Sequence, residues 1–234
     1  MIWGFYAYLT IELYNEASLI KIMNRLVTLR NKSKEIETGF KRLFVGKLYK
    51  TIRILKGDIT MLRTFETDRL ILRERTLADI ESCIEMDREP EVVKYIPEVN
   101  KLVNGTSANE RKHREFIRER TEAEYPEGMG YWVIESKEDQ RQFVGWILLI
   151  PLDAVGPEIE IGWRLKRKYW GKGYATEAAK VILQYAFEFL EIKEVVAYID
   201  QMNKGSIRVA EKIGLVHKGG LETDNYIRYS IHRH

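Results

Sequence analysis

The chain is poor in the residues that would tie it to several kinds of chemistry. It has one cysteine, Cys83, among 234 residues. That excludes a disulfide framework within the chain and fits a reducing compartment. Cys83 is expected to be a small buried residue on a helix. The four histidines, His113, His217, His232 and His234, are scattered without zinc spacing, so no metal is expected. No apolar run approaches the roughly 20 residues of a spanning helix, so stable membrane insertion is not expected. Met1–Leu13 is apolar and aromatic but interrupted by Glu12, and it lacks the basic start and cleavage site of a secretory signal. A net charge of +3 is too small to argue for nucleic acid. Neither internal repeats nor low-complexity tracts occur. The expectation is a cytoplasmic protein.

What is present is an ordinary globular composition, 45% hydrophobic and 31% charged, able to bury a core. The charge is unevenly spread. Residues 1–60 carry 11 Lys and Arg against 5 Asp and Glu; the remainder carries 27 against 30. This divides the chain into an N-terminal extension, 1–60, and a domain, 61–234. Two readings of the extension stay open. Leu19, Ile22, Met23, Leu26 and Leu29 recur at helical spacing among basic residues, as in an amphipathic surface helix. Alternatively, 1–60 is leader translated from an early start codon. Lys56-Gly57-Asp58 can be encoded by a purine-rich ribosome-binding site just before Met61.

Within 61–234 the periodicities alternate between strand and helix. Arg69–Arg73 reads as a strand, and Thr76 as the cap of a helix from Leu77. Ser107 would cap a charged helix through about Ala123, one wall of a substrate cleft. Tyr131–Glu135 and Phe143–Leu152 read as a hairpin, followed by a strand over Glu158–Leu165. Ala175, Ala178, Ala179, Ile182, Tyr185, Ala186 and Phe189 mark one helical stripe. Val195–Ile199 is a strand, and Asn203–Ile213 a helix stopped by Gly214. Tyr226–Ile231 is the last strand. The fold class is α+β, a mixed sheet with helices on its faces.

Trp170-Gly171-Lys172-Gly173-Tyr174-Ala175-Thr176-Glu177 opens the striped helix. Two glycines there bare backbone N–H groups at a positive helix end, which suits a phosphate or pyrophosphate. A Walker loop fails because Gly173 follows Lys172. A dinucleotide fingerprint fails because its third glycine position is Thr176.

Four segments decide the reading: Glu160-Ile161-Gly162-Trp163, the glycine turn, Asn203-Lys204-Gly205-Ser206, and Glu211-Lys212-Ile213-Gly214-Leu215. In this order they resemble the GNAT N-acetyltransferase superfamily. With Thr67-Asp68-Arg69-Leu70-Ile71-Leu72-Arg73 they look like its RimJ/RimL-type branch, which acetylates N-terminal amines of ribosomal proteins and other amines. The resemblance implies a mostly antiparallel central sheet with a splayed strand pair forming an acyl-CoA cleft. It also implies acetyl-CoA as cosubstrate, a primary amine of a protein N-terminus or a small molecule as acceptor, and a homodimer as a family-level expectation. The alternative is a nonenzymatic acyl-CoA-binding module.

Under this reading the amides of Gly171, Lys172, Gly173, Tyr174 and Ala175 hold the pyrophosphate, with Trp170 and Thr176 flanking it. The backbone of Trp163, Arg164 and Leu165 pairs with the pantetheine arm in the manner of strand addition. Asn203 holds that arm or simply caps its helix. Glu160 serves as general base, with Glu158 in reserve. Many relatives place a tyrosine acid where this chain has Ala210, so Ser206 is the candidate donor to the thiolate. Trp132, Trp146 and Trp163 are expected in the core or cleft wall, and Tyr226 and Tyr229 as acceptor lining.

Overall fold

The computed structural model describes residues 62–103, 107–154, 156–220 and 225–233. The two readings of residues 1–60 lie outside them.

Eight strands form one sheet in the order β1-β2-β3-β4-β5-β6-β8-β7. Strand β1 (Phe65–Glu66) and β2 (Leu70–Glu74) lead into a 3-10 turn at Leu77–Asp79. The Asp79 carboxylate accepts from the Thr76 amide at 2.8 Å, so the expected cap is present. The α-helix proper begins later than expected, at Ile80. It is α1 (Ile80–Asp87), followed by the short α2 (Pro90–Val93) and α3 (Pro97–Val103), and by α4 (Ser107–Glu122). Strands β3 (Gly130–Ser136) and β4 (Gln142–Pro151) make the hairpin, and β5 is Ile159–Leu165. Helix α5 (Tyr174–Glu188) crosses to β6 (Glu194–Asp200). Helix α6 (Lys204–Lys212) then precedes β7 (Val216–Gly220) and β8 (Tyr226–His232).

Strand alternation sorts β4 into two cores. Ile147 and Leu149 join Leu70, Leu72, Trp132 and Ile161 beneath Ala178, Ala179 and Ile182 of α5. Trp146, Leu148 and Ile150 face the other way, onto Ile80, Cys83, Ile84 and Ile117 of α1 and α4. Cys83 is 1% exposed, and burial pushes its thiol up to about 12, so it is an inert packing residue as expected.

All neighbouring strands pair antiparallel except β5 and β6. These two run parallel and meet at a single register point, Glu160 opposite Val196. Beyond it they separate, while β5 stays fully paired to β4 from Ile159 to Leu165. Among the described residues, the edge of β5 from Gly162 onward therefore lacks a strand partner on its β6 side. This is the splayed pair expected from sequence, and it opens the sheet where α5 begins.

Candidate active site

A cavity of about 740 Å³ occupies that opening. Trp163, Arg164 and Leu165 of β5 form one wall. Trp170, Gly171, Gly173, Tyr174, Ala175 and Thr176 form the floor, and Asn203 and Ser206 stand opposite. The structure thus brings together eleven of the thirteen residues expected to bind the cofactor or, as Glu160 and Ser206, to move protons. Lys172 and Glu160 do not line it.

The glycine turn is built for close approach. Gly171 and Gly173 adopt φ of 75° and 83°, the left-handed region that favours glycine. A Cβ on Gly171 would meet nothing within 4 Å, so that position faces open space. Among the described residues, no carbonyl accepts from the amides of Gly171 to Ala175. Free amides at the start of a 15-residue helix make an anion seat. The Trp170 amide does not belong to it, because it donates to the Arg167 carbonyl at 3.0 Å. Its indole N–H instead donates to the Leu165 carbonyl at 2.8 Å, tying the turn to the end of β5.

A brace from β2 holds the seat. Arg69 donates to the Lys172 carbonyl at 3.0 Å and, through Nε and Nη2, to Glu177 at 2.8 and 2.5 Å. Thr67 donates its hydroxyl to the same carboxylate at 2.5 Å. Burial works against the ionised Glu177, but the Thr67 and Arg69 hydrogen bonds outweigh it and hold its carboxyl below the usual range. Lys172 is thus a backbone anchor, with its ammonium 5.4 Å from the Tyr169 ring centre.

The cavity rim carries Lys94, Lys204, Arg208 and Lys212 against one acid, Glu91, which pairs with Arg167 at 3.1 Å. The field favours a polyanion. Asn203 caps α6, its Oδ1 accepting from the Ser206 amide at 3.1 Å. That confirms the capping role and leaves the side-chain NH2 group of this cavity-lining residue without an acceptor among the described residues. The Ser206 hydroxyl also has no partner among them. Ala210 is fully buried in the core.

Glu160 sits where β5 and β6 meet, on the sheet face covered by α1–α4, opposite Ile150. It is half-buried. Burial, reinforced by the negative Asp153 and opposed by Arg120, raises its carboxyl to about 7. That value suits a general base at neutral pH. Glu158 is instead committed: it accepts from Arg228 at 2.7 Å and from the Tyr198 hydroxyl at 2.6 Å. Tyr229 is 6% exposed within the core and stacks near His217, so it does not line an acceptor site.

One cluster escaped the sequence reading. Asp87 of α1 accepts from Arg164 Nη1 at 2.9 Å and lies 3.0 Å from His113 Nε2 of α4. Asp87 and His113 are 1% and 2% exposed. The cluster pins both helices to the cleft strand. His113 stands one helical turn before Ile117, which was the available sign that it faces inward.

Residues 69–216 match the family described as the acetyltransferase (GNAT) domain. An uncharacterized protein, YkkB of Bacillus subtilis, is 36% identical over 120 residues, covering 51% of this chain and 69% of that one. The uncharacterized N-acetyltransferase YnaD of the same organism is 31% identical over 153 residues, covering 65% and 82%. The crystal structure of a GNAT-family acetyltransferase from Bacillus anthracis superposes with a TM-score of 0.58. It is 27% identical and covers 73% of this chain and 98% of its own.

Proposed function

We propose a specific role for this chain, which belongs to the GNAT acetyltransferase family: it moves the acetyl group of acetyl-CoA onto a primary amine by direct attack in a ternary complex. The observation that carries this is the set of amides from Gly171 to Ala175 that donate to no carbonyl among the described residues, on a turn whose Gly171, Gly173, Tyr174 and Ala175 line a cavity beside the edge of β5 that β6 leaves open. The Thr67–Arg73 segment, which braces the seat through Arg69, supports a RimJ/RimL-like place within the family.

In this reading the diphosphate of CoA sits on the α5 N-terminus and the rim cations screen its phosphates. The pantetheine amides pair with the open edge of β5 at Trp163 and the Leu165 amide, as an added strand does; Arg164 between them turns its backbone to β4, and the Leu165 carbonyl is taken by the Trp170 indole. The thioester then lies near the point where β5 and β6 part. An ammonium acceptor must first lose a proton, at a cost of about 1 kcal/mol for an α-amine and about 4–5 kcal/mol for a lysine at pH 7. Glu160 takes that proton, directly or through water. The neutral nitrogen attacks the carbonyl carbon, and backbone N–H groups of the β5 edge stabilise the oxyanion, at about 3 kcal/mol per donor. The C–S bond breaks, the departing thiolate takes a proton from Ser206 or from water, and that donor recovers one from the nitrogen as the neutral amide forms. The products are CoA thiol and the N-acetylated amine.

The test is thiol release from acetyl-CoA across a panel of amines, with thermal protection by CoA measured alongside. Amine-dependent release with protection supports the reading. Protection without release on any amine would instead favour a binding module.

Residues 61–234 are read as the catalytic domain, and residues 1–60 as dispensable for acetyl transfer. Among the described residues, no helix is long and apolar enough to cross a membrane.

A further inference from the structure

The sheet face that carries Glu160 also holds a charged group without a hydrogen-bond partner for two of its buried nitrogens among the described residues. Arg75 directly follows β2, and its amide donates to the Tyr131 carbonyl at 2.9 Å. Tyr131 stands opposite Leu148, and Leu148 opposite Gly162. Arg75 therefore lies one row away from the Ile150–Glu160 pair, on the same face.

Its side chain lies over the Tyr131 ring, 3.7 Å from guanidinium carbon to ring centre, and the residue is 6% exposed. The Nε and Nη2 atoms are buried and donate to nothing among the described residues. Two nearby guanidiniums are treated differently: Arg73 pairs with Asp79 and Glu135, and Arg164 with Asp87. Burial lowers the pKa of Arg75, yet a guanidinium stays charged in protein. A buried cation without an anion is among the least favourable arrangements a fold can keep, and stacking on tyrosine offsets only part of the cost. The contacts continue from Arg75 through Tyr131 to Tyr125, the two rings 5.9 Å apart. The Tyr125 hydroxyl donates to the backbone of Arg120, the residue whose charge acts on Glu160.

We infer that the acceptor amine carries a carboxylate, and that Arg75 receives it while Glu160 faces the amine. This rests on the acetyltransferase reading. Strands β2 and β5 are three steps apart, roughly 14 Å between backbones. That span, less the lengths of an arginine and a glutamate side chain, matches a small amino acid. A polycation would meet Arg75 with like charge.

The test pairs amino acids with their carboxamides and their decarboxylated amines, using the full chain and thiol release from acetyl-CoA. The carboxylate member of at least one pair is expected to show kcat/KM about tenfold or more above its neutral partner, the scale of one charged hydrogen-bonded contact. Arg75→Met brings that ratio close to one, and Arg75→Lys restores part of it. Each ratio is taken within one variant, so a change in the folded fraction cancels. Equal turnover of both members of every pair by the wild type overturns the subsite and leaves the acetyltransferase reading intact. Release with no amine at all overturns both. A second readout does not need turnover: in the presence of CoA, N-acetyl amino acids protect the wild type against heat, whereas their carboxamides do not. Equal protection by both would also overturn the subsite.

Discussion

Replacing Glu160 with glutamine separates catalysis from stability in one protein. Burial first, then Asp153, raises this carboxyl from the ordinary 4.5 to about 7. The ionised fraction is then about a tenth at pH 6 and about nine-tenths at pH 8. The wild-type kcat should rise about tenfold over that interval, with an apparent pKa near 7. Glu160→Gln should lower kcat by about 100-fold near neutrality, the lower end for a general base, and flatten that rise. The gap should narrow above about pH 9, where amines lose their proton unaided. Because Glu160 does not line the cavity, the KM for acetyl-CoA should hold. Stability should move the other way. A carboxyl whose pKa is raised on folding binds more protons in the native state between pH 4.5 and 7. Wild-type stability therefore falls as pH rises through that window, by at most about 3 kcal/mol from this group. The glutamine variant lacks this loss, so its Tm should gain on the wild type as pH increases. Stopped-flow thiol detection and thermal melts over pH 5–9 check both. Superimposable kinetic profiles for the two proteins would remove Glu160 from the mechanism.

Gly173→Val forces a branched residue to φ 83° in the phosphate seat and should raise the Kd for acetyl-CoA about tenfold or more by calorimetry. Ser206→Ala should lower kcat several-fold with little change in acetyl-CoA binding, since the amide that Asn203 caps is retained; an unchanged kcat assigns the thiolate proton to water. Glu177→Gln weakens the Arg69 brace and should remove an acid-side loss of stability. The Glu177 carboxyl is held low on folding, so its contribution is present above the ordinary carboxyl range and fades as pH falls through the folded value. Melts of both proteins at pH 3–7 should therefore converge at the acid end. A chain starting at Met61 should keep its kcat, as thiol release would show.

The elements were readable wherever one face alternates or repeats. Leu70 and Leu72, the 146–150 run and the α5 stripe each carry a clear period. Strand β7 was missed because Val216-His217-Lys218-Gly219-Gly220 has no alternating apolar face, and it forms only by pairing with β8. The seat was legible because it is local: two glycines and a helix start lie within five residues. Its brace was not, since Arg69 and Glu177 are 108 positions apart. Nor was the Asp87–His113–Arg164 cluster, which draws on three separate elements. Trp170 was expected to flank the pyrophosphate, and a 3-10 turn at Arg167–Tyr169 takes its amide. Tyr229 alternates plausibly as lining, yet its face of β8 turns into the core.

The most direct measurement is an amide-resolved NMR titration of the protein with CoA. The largest shifts should fall on the Gly171–Ala175 amides and the Asn203 side-chain NH2, saturating with one CoA per chain. Saturable binding that leaves those five amides unmoved would contradict the account.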